Sequence, residues 1–402
     1  MSEHEARPLR LAVVGVGSRA SLAQHAVESG RARVVAFVDP NLAAYARAES
    51  LFGPGLSGYR DHRELIAARD DIDAAFVTTP DHTHAAIAVD LLNAAIPVYL
   101  EKPLAITLDH ADQILAAAAE TGTRLYVGHN MRHMSAIRLM HEIIGRGEIG
   151  EVKAVWCRHF VGNGGDYYFK DWHADRTKST GLLLQKGAHD IDVIHWLAGG
   201  YSTLVSGMGA LSVYGNITDR RDNSGRLMPE WFSFDNWPPL AQTGLNPVVD
   251  VEDISMMLMK LDNGVLASYE QCHFTPDYWR NYTVIGTQGR LENFGDSAGG
   301  VVRVWNRRRE YRPEGDVEYP IHGDASGHDD ADARTVEEFL DFVTQGTPTV
   351  TSPVASRNAV AAGIAATESL RSGSIPIRIP PVDPAVAARL ETSEPSPERL
   401  PG

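Results

Sequence analysis

The sequence predicts two folds in succession: a doubly wound α/β domain on a parallel sheet, then an α+β domain on a large, open, mostly antiparallel sheet. Over residues 1–150, short apolar runs alternate with alanine-rich helical stretches. From residue 151 the segments are longer, β-rich and punctuated by turn pairs. The first apolar run also ends in a glycine pair, Gly15 and Gly17. A chain of 402 residues is comfortable for two such domains.

The parallel strands are expected in RLAVVGVG, RVVAFVD, AAFVTTP, IPVYLEKP and RLYVGHN, with helices such as HAAIAVDLLNAA and LDHADQILAAAAETG between them. Strands separated by helices of this length form βαβ units, whose sheet is covered on both faces. The later segments GEVKAVWCRHF, STLVSGMGALSVYG, DISMMLMKLDNGVLASYEQCHF and RNYTVIGTQGRLENF read as longer strands. Asn263-Gly264 marks a hairpin between two of them. A helix near 184–198 should pack on one face of this sheet. The segments 160–180 and 216–248, rich in Gly, Asn, Asp and aromatics, are long enough to be functional loops. ADARTVEEFLDFVTQG and SRNAVAAGIAATESLRSG read as amphipathic helices, with the segment near 353–372 completing the first domain. The second domain is expected over 151–380, and 381–402 as a Pro-rich acidic tail.

A composition of 43% hydrophobic and 22% charged residues is that of an ordinary globular protein. The net charge of −15 argues against nucleic acid and anionic membranes as partners. The basic run Arg307–Arg309 reads as a solvated turn. Two cysteines far apart, Cys157 and Cys272, suit free thiols in a reducing compartment. With no signal-like N-terminus and no apolar run of membrane-spanning length, the expected location is the cytoplasm.

Gly15-Val16-Gly17-Ser18-Arg19-Ala20 is a GxGxxA turn between strand and helix. The first glycine permits the tight turn, the second lets a pyrophosphate approach, and a small third residue allows close packing. Phosphate would sit at the helix N-terminus. Asp39, ~20 residues on at the end of the second strand, is placed to accept ribose hydroxyls; its alternative is a turn residue before Pro40. The acid would repel a 2′-phosphate, so the expected cofactor is NAD, with NADP less favoured. Arg19 could partly offset that repulsion. The turn makes the first domain a Rossmann dinucleotide-binding domain.

Thr79-Pro80-Asp81-His82-Thr83-His84 and Glu101-Lys102-Pro103 each follow a parallel strand, and G-x-H-x-x-D recurs at Gly187, His189 and Asp192. With the glycine turn, GTQGRLENF and the terminal helix pair, they resemble the Gfo/Idh/MocA family of glucose–fructose oxidoreductases, inositol dehydrogenases and relatives. The resemblance runs from Leu11 to about Pro380. It implies homodimers or homotetramers joined through the second sheet, and hydride transfer between a sugar or cyclitol carbon and nicotinamide. It also implies that Lys102 touches the reacting hydroxyl, that Glu101 binds the nicotinamide ribose, and that Thr79, Pro80, His84 and Asn130 border the cofactor. Arg132 would line the nicotinamide end. A lysine buried beside an oxidised nicotinamide has reason for a lowered pKa; a surface lysine before proline is the alternative.

The family's D-x-G-x-H-x-x-D becomes Gln185, Gly187, His189 and Asp192 in LLLQKGAHDID. His189 lies one helical turn from Gln185, so both can face one cleft. Polar groups in an apolar segment are costly unless paired or used. Gln185 can position a hydroxyl but cannot take its proton. His189, with an unperturbed pKa of about 6.5, is then the expected base, with Lys102 as the other candidate. A satisfied core histidine is the alternative for His189. Lys186 is expected to pair with Asp190 or Asp192. A metal is not expected, because the His189, Asp192, His195 spacing fits no standard zinc pattern.

Tyr168, Trp172 and His173, and then Trp231, Phe232, Phe234 and Trp237, offer a sugar-binding surface, or the packing core of the two loops. His328 precedes a helix and resembles the family's substrate-end loop. A dehydrogenase of sugars, cyclitols or their derivatives is the leading function. The alternative is an NAD-retaining glycosidase working by oxidation, elimination, addition and reduction, with Asp166, Tyr168 or His173 as its extra acid or base. A third reading is a non-catalytic NAD sensor.

Overall fold

The five apolar runs of the first 130 residues, with one short polar strand more, form a six-stranded parallel sheet in a computed structural model that describes residues 7–68, 71–323 and 329–391. They are β1 (Leu9–Val14), β2 (Ala32–Val38), β3 (Ser57–Tyr59), β4 (Ala74–Val77), β5 (Val98–Leu100) and β6 (Leu125–Val127). Their order is β3-β2-β1-β4-β5-β6, every pair parallel. β4, β5 and β6 are buried throughout, as strands covered on both faces must be. β3 is an edge strand of Ser-Gly-Tyr, too short and polar to be read from an apolar pattern. The order reverses between β1 and β4, so the crevice over their carboxyl ends receives the glycine turn and the TPDHTH segment.

Nine strands form the second sheet: β7 (Val152–Phe160), β8 (Ser202–Ala210), β9 (Ile254–Leu261), β10 (Leu266–Cys272), β11 (Trp279–Gly286), β12 (Arg290–Phe294), β13 (Val301–Trp305), β14 (Val317–Pro320) and β15 (Ile377–Arg378). The order is β14-β13-β12-β11-β7-β10-β9-β8-β15, antiparallel except where β7 meets β10. Asn263-Gly264 makes the β9–β10 hairpin, with Gly264 at φ 85°. Burial alternates strictly along β9, so one face is core and the other is open. The open face carries Trp156, Met208, Met256, Leu258 and Leu266, all exposed.

The helix Gly187–Ala198 packs on the covered face against β7 and β10, as expected. The helix Pro353–Arg371 does not serve the first sheet alone. Its Val354 and Val360 join the core of the parallel sheet, while Ala361, Ala362 and Ala366 join that of the second. Its small side chains allow this double approach: a Cβ at Gly363 would lie 2.8 Å from the Leu183 carbonyl oxygen and 2.9 Å from Leu184 Cα. The helix Asp329–Gln345 covers the other face of the first sheet, with Phe339 packed on the rings of Phe76, Tyr99 and Tyr126. Part of the expected tail is ordered structure. Pro384–Leu390 is a helix capped by Asp383 and packed on the helix Leu108–Thr121. Cys157 and Cys272 are both free thiols, the first buried and the second half-buried. Among the described residues no helix is long and apolar enough to cross a membrane.

Candidate active site

The glycine turn fits a dinucleotide. Gly15 has φ 90°, and a Cβ there would come within 2.9 Å of Thr79, so a side chain is excluded twice over. A Cβ at Gly17 would meet nothing within 4 Å, leaving open space where a pyrophosphate would approach. Ala20 is buried against the sheet, and Ser18 lies in the 3-10 turn that enters the first helix. Asp39 is oriented by its loop, with Oδ2 accepting from Val16 N at 2.9 Å and Oδ1 from Asn41 N at 2.8 Å. The carboxylate therefore stays at the end of β2, where ribose hydroxyls would donate to it.

Arg19 does not go where the sequence put it. Its guanidinium donates to Glu101 at 2.7 Å and to both oxygens of Asp332 at 2.8 and 3.0 Å. It is thus pinned toward the nicotinamide end rather than offsetting Asp39. Asp332, in the first turn of the helix Asp329–Gln345, also accepts from Asn130 Nδ2 at 2.7 Å. A different cation reaches the glycine turn: Arg47 donates to the Val16 carbonyl at 2.6 Å, and nothing in the sequence singled it out.

Past β5, Glu101 is buried and holds both Arg19 and the main-chain N–H of Lys102, the latter at 2.8 Å. Lys102 Nζ donates to the main-chain carbonyl of Gln185 at 3.1 Å. Burial pushes the Lys102 pKa down, against the pull of Asp81 and Glu101. His84 is fully buried, with Nδ1 2.8 Å from the Pro103 carbonyl and Nε2 3.0 Å from that of Thr79. It stitches the Thr79-Pro80 turn to the Lys102 turn, so its part in the cofactor site is positional. Asp81, in the turn after β4, was not expected at the site. It is buried, its Oδ2 has no hydrogen-bond partner among the described residues, and burial raises its pKa to about 7 despite Lys102 and His173 nearby.

Gln185 ends the short helix Leu182–Gln185, and its side-chain Oε1 is buried without a hydrogen-bond partner among the described residues. His189 is buried one turn further on. Gly187 permits close approach, but to a ring: its Cβ would lie 3.0 Å from Tyr269 Cε1. Arg132 and Asp192, both expected at the substrate, are consumed by each other at 2.8 and 2.7 Å, and Arg132 also donates to the Val350 carbonyl. Asp190 is likewise taken, 3.0 Å from Arg280 and 3.1 Å from His159. The ion pair expected for Lys186 with Asp190 or Asp192 does not form: among the described residues no carboxylate lies within 4.0 Å of its Nζ. Burial, then Arg280 and Lys102, hold its pKa well below the lysine range.

Over the site, the first loop brings Tyr168, Trp172 and His173 together. Trp172 stacks on His173 at 3.8 Å between ring centres, Tyr168 meets His173 edge-on at 5.4 Å, and His173 bonds Asp171. In the second loop Trp231 donates to the Asp166 carbonyl and Phe232 meets Phe234 edge-on at 5.1 Å, while Phe234 and Trp237 are exposed. His328 lies outside the described residues.

The Arg132–Asp192 pair is buried and bidentate, so breaking it leaves an uncompensated charge. Arg132→Met is expected to cost about 3–5 kcal/mol, read as a lowered urea midpoint, and Arg132→Met with Asp192→Leu to recover part of the loss. Burial opposes ionisation of Asp192, but Arg132 and then His129 overcome it and depress its pKa. The pair's contribution is therefore present above about pH 4, the ordinary unfolded value, and is lost as pH falls below it.

Comparison with known proteins gives the same architecture. Residues 9–129 match the model of the oxidoreductase family with an NAD-binding Rossmann fold, and 137–292 match the GFO/IDH/MocA C-terminal domain. The inositol 2-dehydrogenase of Burkholderia multivorans (strain ATCC 17616 / 249) is 34% identical over 169 residues, 42% of this chain and 47% of that protein. YteT of Bacillus subtilis (strain 168) is 27% identical over 256 residues, 55% of this chain and 60% of its own length. The chain thus matches roughly half of these curated relatives. A levoglucosan dehydrogenase solved with NADH and L-sorbose superposes with a TM-score of 0.73 at 20% identity, covering 93% of this chain and 99% of the other. With the glycine turn, the Glu101-Lys102-Pro103 turn and both sheets in place, and the two models together spanning more than half of its length, the chain belongs to the Gfo/Idh/MocA family.

Proposed function

We propose that this protein is an NAD-dependent dehydrogenase that removes a hydride from a hydroxyl-bearing carbon of a sugar, cyclitol or sugar derivative. The observation that carries the proposal is Lys102: a half-buried lysine just past the carboxyl end of β5, tied to the Gln185 carbonyl and flanked by Glu101 and Asp81. The inositol 2-dehydrogenase relative and the levoglucosan dehydrogenase support this substrate class.

NAD, when bound, supplies the hydride acceptor. Gly15, Gly17, Ser18 and Asp39 would hold its adenosine and pyrophosphate, with Thr79, Pro80, Glu101 and Asn130 at the nicotinamide end. Lys102 donates to the reacting hydroxyl oxygen and stabilises its developing charge. His189 takes the proton, and Gln185 positions the hydroxyl through its side-chain oxygen. Tyr168, Trp172 and His173 form the wall against which the sugar's C–H faces pack. The elimination route of a glycosidase would need a further free acid or base, and Asp166 is spent on Lys170 at 2.8 Å and Asn236 at 2.7 Å.

Heat-denaturing the purified protein and assaying released nucleotide, then following NADH formation with a polyol and sugar panel, tests the reading. NADH should accumulate with one class, and Lys102→Met and His189→Asn should each lower kcat by roughly 100-fold or more with NAD affinity unchanged. Aglycone release with a flat NADH signal would overturn it.

The Asp81 charge supports the ammonium form of Lys102. Asp81→Asn should therefore move the alkaline limb of the kcat/KM profile to lower pH. Movement of the acidic limb instead would make Lys102, rather than His189, the proton acceptor.

We also propose that the chain is a homodimer or homotetramer joined through the open face of the second sheet. An apolar surface of Trp156, Met256, Leu258 and Leu266 across adjacent strands is unusual on a monomer. Sedimentation should give at least twice the 43.8 kDa chain mass, and Leu258→Glu with Trp156→Glu should reduce it to one.

A further inference from the structure

Among the described residues no carboxylate lies within 4.0 Å of Lys186 Nζ. Lys186 is 9% exposed, and Nζ stands 5.9 Å from the ring centre of Tyr168 in the wall assigned to the sugar. Arg280, on β11, is 3.0 Å from Asp190 and 3.7 Å from Asp296. Lys102 also lacks a carboxylate in that range, but its Nζ is held by the Gln185 carbonyl at 3.1 Å. Asp190 is further committed to His159 and Tyr282, and Asp296 accepts from Tyr278 at 3.0 Å. Position 185, one residue before Lys186, is glutamine and brings no carboxylate. The groups facing Lys186 are therefore Arg280 and Lys102, with Asp190 and Asp296 beyond, the Tyr168 ring, and the buried imidazoles of His159 and His273, both held neutral by burial.

An ammonium buried with no carboxylate in ion-pair range is costly to hold. The cost turns into selectivity if the molecule that enters carries a negative charge. A neutral polyol would bring none, and an oxidised nicotinamide would add a positive one.

We propose that Lys186 receives the carboxylate of an acidic sugar, so that the substrate is a uronate or aldonate rather than a neutral sugar or cyclitol. The inference rests on the dehydrogenase reading of the same site. It assigns to Lys186 the recognition of the acid, and to Lys102 and His189 the chemistry at the hydroxyl carbon. Tyr168 lies between these tasks, packing its ring on the sugar while Lys186 bonds the carboxylate beyond it.

The test pairs acids with neutral counterparts of the same stereochemistry: D-glucuronate with its methyl ester and D-glucose, D-galacturonate with D-galactose, and D-gluconate with D-glucitol. Rates of NADH formation are measured for the wild type, Lys186→Met and Lys186→Arg. A wild-type kcat/KM at least 10-fold higher for an acid than for its neutral partner is expected. Lys186→Met should collapse that ratio through KM, by roughly 10- to 100-fold, the range for a hydrogen bond to a charged group. Lys186→Arg should restore part of it. Calorimetry on the NAD-loaded protein gives a second readout. Carboxylate binding should be seen with the wild type and lost in Lys186→Met.

Equal or better oxidation of the neutral sugars, or an equal effect of Lys186→Met on acid and neutral partners, overturns the proposal and leaves the dehydrogenase reading standing. Absence of NADH with every compound, together with carboxylate binding that depends on Lys186, overturns the dehydrogenase reading and leaves the acid site standing. Neither NADH nor carboxylate binding overturns both.

Discussion

The hydrogen bond from Lys102 Nζ to the main-chain carbonyl of Gln185 is where the two sheets meet at the site. Its donor sits on a turn after the parallel sheet, and its acceptor ends a short helix that belongs to the second layer. A contact between layers holds only if both ends are fixed. Glu101 fixes the first by bonding the Lys102 amide, and His84 by bridging the Thr79 and Pro103 carbonyls. The second is fixed by the helix Pro353–Arg371, whose Gly363 lets the Leu183-Leu184 backbone lie against it, and by Thr180, which donates to the Ile106 carbonyl at 2.7 Å. A shift of one ångström in either layer would break the geometry that proton transfer requires.

Around this contact the fold neutralises buried charge pair by pair. Arg132 with Asp192, Arg280 with Asp190, and Arg19 with Glu101 and Asp332 are each joined by hydrogen bonds or close ion pairs across different elements. Such pairs contribute little net stability compared with apolar packing, but they are severe about geometry, because a misplaced partner leaves a charge stranded. They lock the helix Gly187–Ala198, the Asn130–His133 turn and the start of the helix Asp329–Gln345 to one another. The active-site residues thus inherit their positions from neighbours that have no contact with substrate.

Much of the architecture was legible because it rests on local pattern. The strand–helix alternation, the GxGxxA turn and the Asn263-Gly264 hairpin are each set by residues close in sequence, and the structure places each where local chemistry requires. Other elements escaped, the strands β13, β14 and β15 among them. β3 has only three residues and no apolar run, and the helix Pro384–Leu390 is short within a Pro-rich stretch. The shared position of the helix Pro353–Arg371 depends on two cores at once. The charged residues were harder still, since their partners lie far away: Arg132 and Asp192 are 60 residues apart, and Arg19 and Asp332 are 313. Sequence spacing shows that a charged residue sits in an apolar segment. It does not show whether another chain segment arrives to neutralise it.

That distinction separates scaffold from site in LLLQKGAHDID. Burial taxes every polar group in the segment equally, so each must be satisfied from somewhere. Asp190 and Asp192 are satisfied by arginines from β11 and the Asn130–His133 turn, and His195 by Ser202 at 2.8 Å. They account for most of the segment's charge and none of its chemistry. Among the described residues the Gln185 side-chain oxygen has no hydrogen-bond partner, and beside it Lys186 has no carboxylate within 4.0 Å. Both lie within one turn of His189 and beside Lys102. Arg132, Arg280 and Arg19 each have a carboxylate in ion-pair range, and among the described residues Lys186 has none, which is why we assign that position to a charge carried by the substrate.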